Sequence, residues 1–63
     1  MKSIEKFRKE KNLTQVELAA KVGVTQSAIS QWENGTTQPE VGKLIALAKI
    51  FGCKVDDLLV TVG

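Results

Sequence analysis

Residues 13–35 read LTQVELAAKVGVTQSAISQWENG, and this stretch decides the fold. It holds two amphipathic segments on either side of one glycine. Thr14 followed at the third position by Glu17 is a capping-box pattern. Leu13 before that cap and Leu18 inside the segment have the spacing of a hydrophobic staple. Leu18, Ala19 and Val22 then make one buried stripe. Gly23 supplies the positive φ that ends a helix and reverses the chain. Thr25 caps the next segment, with Val24 and Ile29 as a second staple. Ile29 and Trp32 point inward with Ala28 beside them, and Asn34-Gly35 closes the helix. Two helices joined by a turn as short as Val22-Gly23-Val24-Thr25 must cross steeply.

The other face of the second segment carries Gln26, Ser27, Ser30, Gln31 and Asn34. It is wholly polar yet uncharged, whereas a solvated helix face is ordinarily rich in Lys and Glu. A glutamine amide pairs with N6 and N7 of adenine in a major groove, and a serine hydroxyl donates or accepts. On spacing alone two readings stand: a surface for hydrogen-bonded readout, or a solvated helix.

Upstream, Ser3 to Lys11 reads as a short helix with Ser3 as N-cap, Ile4 and Phe7 on one face, and Asn12 as the left-handed residue that closes it. Downstream, a helix is predicted from about Pro39 to Phe51, with Val41, Leu44, Leu47, Ala48 and Phe51 on its stripe. Gly42 within it costs about 1 kcal/mol relative to alanine, and Gly52 stops it. A last short helix, about Val55 to Val60, has Val55, Leu58 and Leu59 as its apolar residues. Asp56 and Asp57 fall in its first turn, where they suit the helix dipole. The tail after it has no assignment. The expected fold class is all-α, a compact domain of five short helices.

The chain has 63 residues and nothing that reads as a linker or repeat, so a single domain over residues 1–63 is expected. Histidine is absent, which removes imidazole bases and ligands, and the single Cys53 makes neither an internal disulfide nor a Cys-rich zinc site. Asp56 and Asp57 are adjacent and diverge on a helix, so they form no acid–base pair. An enzyme, a metal and a cofactor are therefore not expected, and no small-molecule ligand is evident. No apolar run approaches the ~20 residues that span a bilayer. MKSIEKFRKEK lacks the apolar core of a signal peptide. A cytoplasmic domain without a membrane partner is the expectation, and the lone cysteine fits a reducing compartment. Net charge is +2, and the first eleven residues set five basic groups against two acidic ones. That excess serves long-range attraction to a polyanion, or simply solvates a helix face.

Residues 13–35, followed by Pro39 and LIALAKIFGCKVDDLL at 44–59, resemble the Cro and lambda-repressor-like helix-turn-helix DNA-binding family, the XRE-type transcriptional regulators. The resemblance covers residues 4–59. It rests on Gln15, Leu18-Ala19, Gly23-Val24, Ile29-Ser30, Trp32-Glu33, Gly35, Pro39, Leu44, Ala48 and Gly52 at the family's spacing. It implies a helix-turn-helix over residues 14–34 whose second helix enters the major groove of double-stranded DNA. Gln26, Ser27, Ser30 and Gln31 would then meet the bases, and Gln15, Asn34, Thr36 and Thr37 the phosphates. It also implies an ion pair between Arg8 and Glu33 that braces the recognition helix against the first helix. There are departures. No Arg or Lys stands in the recognition helix, so the commonest guanine contact is missing. Glu40 lies near where some relatives carry a basic residue. Gly42 and Lys54 replace a helix former and a capping serine.

One recognition helix reads about half a site, so a homodimer on a palindromic operator is expected, with repression by occlusion as its simplest action. With no room for a separate dimerisation domain, the interface falls to the domain itself. Ile50 lies nearly opposite the buried stripe, Ala46 is one turn before it, and Val60 and Val62 follow the last helix. Together they make an exposed apolar patch, unless the fifth helix or the tail covers Ile50. The alternative function is a protein-interaction module, such as an antitoxin or adaptor on the same fold. The polar recognition face argues against it, since interface cores favour Tyr, Trp and Met.

Overall fold

Five helices follow one another in the computed structural model: α1 (Lys2–Glu10), α2 (Gln15–Val22), α3 (Gln26–Asn34), α4 (Val41–Phe51) and α5 (Val55–Leu59). The structure describes residues 1–59. Local signals place the helix ends. Asn12 takes φ 56° and turns the chain out of α1. The Thr14 hydroxyl accepts from the Glu17 N–H at 3.0 Å, and the Glu17 carboxylate accepts from the Thr14 N–H at 2.9 Å, completing the capping box. Gly23 has φ 87°, and its N–H and that of Val24 both donate to the Ala19 carbonyl. This is where α2 stops and α3 is set across it. Thr25 then caps α3 by accepting from the Ala28 N–H at 3.1 Å.

The capping box titrates. The hydrogen bond from the Thr14 N–H holds the Glu17 carboxyl below the usual carboxylate range. A group with a depressed folded-state pKa adds stability above its unfolded value, about 4.3 for Glu, and loses it as pH falls through the folded value. Gln at this position keeps the box but does not titrate. Urea midpoints followed downward from pH 5 are expected to fall less steeply for Glu17→Gln than for the parent. Identical acid limbs would remove the box from the pH dependence.

Every helix contributes to one core: Ile4 from α1, Leu18 from α2, Ile29 from α3, Leu47 from α4 and Leu58 from α5 are all fully buried. Each such side chain is worth about 1.5–3 kcal/mol of transfer free energy. Trp32 and Phe51 close the core, and the rings of Phe7 and Phe51 stack at 5.7 Å. Among the described residues no helix is long and apolar enough to cross a membrane.

Three expectations are corrected. Ser3 is not a cap: α1 begins at Lys2 with Met1 at the N-cap position, and the Ser3 side chain is buried and donates to the carbonyl of Leu58. That carbonyl lies in the last turn of α5, where intrahelical donors run out. Pro39 does not open α4. Glu40 occupies the N-cap position, and the Pro39 ring is buried ahead of it. Val41, expected on the buried stripe, is 71% exposed. Burial fades toward the start of α4, from Leu47 through half-buried Leu44 to Val41, because the first turn runs past the core. The last helix, expected over about Val55 to Val60, is present over Val55–Leu59, and Val60 lies outside the described residues. At its start the Asp57 carboxylate accepts from the Lys54 N–H at 3.0 Å. That is half of a capping box, and a lysine has no oxygen to supply the other half.

Candidate nucleic-acid interface

The inner side of α3 is anchored by Ile29, Trp32 and Glu33, all buried. Its outer side therefore has a fixed orientation. Gln26, Ser27 and Asn34 are exposed there, Ser30 and Gln31 are half-buried, and Thr36 and Thr37 stand exposed just beyond. Gln15 sits half-buried at the first position of α2.

Glu33 is the polar centre of this arrangement. It is 4% exposed, and an unpaired carboxylate so placed would carry a large desolvation cost. Arg8 meets it with two of its three guanidinium nitrogens: Nε to Oε2 at 2.6 Å and Nη2 to Oε1 at 3.2 Å. The remaining arm donates to the Leu13 carbonyl at 2.9 Å, just ahead of the α2 cap. The hydrogen bond to Glu33 raises the already high pKa of Arg8, outweighing the opposing effect of burial. The expected brace thus joins α1 to α3 and also pins the segment leading into α2.

A further link was not legible in the sequence. Gln15 Nε2 donates to Glu33 Oε1 at 3.0 Å. A carboxylate only accepts, so it turns the nitrogen of the Gln15 amide inward and the oxygen outward. That oxygen accepts from Gln26 Nε2 at 3.4 Å. A chain of polar contacts therefore runs from buried Arg8 to the exposed first residue of α3. It leaves Gln26 with one free N–H and a free carbonyl. At the other end, Gln31 Nε2 donates to Ser27 Oγ at 3.2 Å, and the Thr37 hydroxyl donates to Gln31 Oε1 at 3.4 Å. The Ser27–Gln31 spacing of four residues was the available clue. The Gln15–Gln26 contact crosses the turn and has no such local signature.

Around this face the charges are sparse. Lys2, Lys6, Lys9 and Lys11 on and after α1 are exposed, with Lys9 paired to Glu5 at 3.5 Å. Cys53 is half-buried, and burial pushes its pKa up, so it stays a thiol. The expected apolar patch falls only partly within the described residues. Ile50 is half-buried, packs against the core, and lines a shallow cavity of about 500 Å³ with Lys11, Leu13 and Lys21. Ala46 is half-buried as well, and Val60 and Val62 lie outside the described residues. The large apolar side chains left exposed are Val16, Val41, Ile45 and Leu59.

A Helix-turn-helix family model matches residues 4–58. The chain is 39% identical over 89% of its length to the HTH-type transcriptional activator BcrR of Enterococcus faecalis, of which it spans 28%. It is 44% identical over 82% of its length to the repressor protein C2 of Salmonella phage P22, of which it spans 24%. An uncharacterized HTH-type transcriptional regulator of Archaeoglobus fulgidus is 35% identical over 90% of the chain, which spans 80% of that protein. No solved structure gives a significant match. With a family match over nearly its whole length, and with the paired helices, the αL glycine turn and the Arg8–Glu33 brace in place, this chain belongs to the XRE/Cro-lambda-repressor-like helix-turn-helix DNA-binding family.

Proposed function

We propose that the chain binds double-stranded DNA as a sequence-specific regulator of transcription, laying the outer face of α3 in the major groove. The observation that carries this reading is the uncharged amide face of α3 with Gln26 held at its start by Gln15. The N–H and carbonyl that this contact leaves open on the Gln26 amide match N7 and N6 of adenine. Asn34, Thr36 and the second amide N–H of Gln15 hold phosphates, and such contacts position without reading sequence; Thr37, whose hydroxyl donates to Gln31, joins them only by exchanging that bond for one to a phosphate. Ser30, one turn along, meets the groove edge. DNA as ligand implies a place inside the cell, and the likeness to regulators of bacteria, archaea and a phage favours the cytoplasm.

The chain acts as a homodimer on a palindromic site. Its contact is built from the apolar side chains exposed on α4 and α5, Val41, Ile45 and Leu59. The action is repression by occlusion, which needs nothing beyond occupancy. Among the relatives one is named a repressor and one an activator, so the domain serves both.

Selection of bound duplexes from a random pool, followed by titration, tests the proposal. Two chains per palindrome are expected, with affinity falling as salt rises by a slope of roughly 3 to 6. Gln26→Ala is expected to cost about 1–3 kcal/mol on the selected site and little on unrelated DNA. Gln15→Ala is expected to weaken all sequences, as a phosphate contact does, and also to blunt the adenine preference because Gln26 loses its partner. Equal losses on specific and unrelated DNA for Gln26→Ala would refute the assignment of α3. Absence of any duplex binding favours the interaction-module reading.

A further inference from the structure

The shallow cavity lined by Lys11, Leu13, Lys21 and Ile50 takes no residue from α3 or from the segment that follows it. Leu13 and Ile50 pack against the core yet stay half-buried, so they form its floor. Lys11 and Lys21 are exposed and form its rim. The floor is preformed. Asn12, at φ 56°, turns the chain so that the Leu13 N–H donates to the Arg8 carbonyl at 3.0 Å, and the Leu13 carbonyl accepts from Arg8 Nη1 at 2.9 Å. Ile50 lies in the last turn of α4, which Gly52 stops in the left-handed region. Neither rim lysine is in an ion pair: those among the described residues are Arg8–Glu33 and Lys9–Glu5. Glu17, one turn before Lys21 on α2, is engaged instead by the Thr14 N–H.

We propose that this groove docks an acidic segment of a partner protein, which seats one aliphatic or aromatic side chain on Leu13 and Ile50 and sets Asp or Glu carboxylates against Lys11 and Lys21. One occupant has to meet both halves of the groove. A nucleic-acid backbone supplies anions but nothing for the floor. An uncharged apolar partner covers the floor and strips water from two ammonium groups without pairing them, which is costly. A small anionic molecule fails on shape, because such ligands bury about 70–90% of their surface in a concave site and this one is shallow. A peptide needs no enclosure: it lays one face on the floor, and the rim charges steer it and fix its register. The groove and the outer face of α3 share no residue, so occupation of one leaves the other open. The inference does not depend on the DNA-binding reading. Joined to that reading, it makes the groove the place where a second protein is held beside bound DNA.

The test selects a displayed random peptide library against the immobilised full chain, then titrates the selected peptides by fluorescence anisotropy. They are expected to share an apolar side chain closely flanked by Asp or Glu. Replacing that side chain with serine should cost roughly ten-fold or more, the value of one buried aliphatic side chain. Lys11→Glu combined with Lys21→Glu should cost roughly ten-fold, and rising salt should weaken the parent complex. Both lysines are exposed, so the fold should hold, which circular dichroism checks. Charge reversal is the decisive arm. Peptides that keep the apolar side chain but carry Lys in place of the acidic residues should bind the double variant and not the parent. A selection that returns no peptide, or peptides without acidic flanks, would overturn the proposal. So would acidic peptides that bind the double variant as tightly as the parent. If no peptide is selected and the double variant also loses duplex binding, the two lysines belong to the DNA surface and the groove is not a docking site. If the parent takes acidic peptides but no duplex, the groove stands and the DNA-binding reading fails.

Discussion

Arg8→Leu is expected to lower the free energy of unfolding by about 3–5 kcal/mol, the cost of leaving a buried charge without its partner. Glu33 is the group left behind, 4% exposed, with the Gln15 amide alone among the described residues still donating to its carboxylate. A domain of this length has roughly 3–9 kcal/mol in total at 0.05–0.15 kcal/mol per residue, so the variant should give up a large fraction of it and unfold at a much lower urea concentration. Replacing the pair with apolar side chains should behave differently. Burying two charges costs nearly what their attraction returns, and apolar substitutes of similar size are often neutral or better. Arg8→Met combined with Glu33→Leu is therefore expected to recover most of the loss in urea unfolding. It should not recover function, because Gln15 no longer has a carboxylate to orient it and Gln26 loses its support. Stability and base preference would then part company in one double-mutant cycle. A loss below about 1 kcal/mol for Arg8→Leu would instead mark the pair as a solvated one.

Ile29→Ala is the second large effect. Ile29 is fully buried on the inner face of α3, between the residues that face outward. Truncation of a buried isoleucine costs about 2–5 kcal/mol, the upper end applying where the walls do not relax. The neighbouring elements are short helices stopped by capped turns, which argues for the upper half of that range. The outer face is not touched, so the order of preference among duplexes should persist in whatever fraction remains folded. Thermal unfolding by circular dichroism, paired with titration of two duplexes that differ at the Gln26 base, checks both halves. A full-stability variant with altered preference would mean that Ile29 aims the helix more than it anchors it.

The two effects locate different things. Ile29 and the other core side chains hold α3 against the domain, and many apolar residues of similar shape serve that purpose. Arg8, Glu33 and Gln15 decide which way one amide points, and no apolar residue substitutes for that.

What the sequence alone determined follows from interactions that span only a few residues. Thr14 with Glu17, Thr25, Gly23, Gly35 and Gly52 marked the helix ends, because caps and left-handed residues act within one turn. The apolar periodicity named Leu18, Ile29, Trp32, Leu47 and Phe51 as core, because a helix face is an arithmetic property of spacing. The uncharged face of α3 was equally visible. Arg8 and Glu33 were paired only through the family resemblance, since they lie 25 residues apart and no local rule connects them. The tertiary structure decided the rest. Ser3, a good local cap, is drawn inward because α5 brings the Leu58 carbonyl to it from 55 residues away. Val41 keeps the right spacing yet stays in solvent, because the length of the neighbouring helices, and not the period, sets where the core ends. Ile50 turns from an exposed patch into a half-buried wall because the segment around Lys11 and Leu13 comes to lie near it. The Gln15–Gln26 contact exists only because the turn at Gly23 crosses α2 and α3 at one angle, so it is a product of the fold and not of either helix.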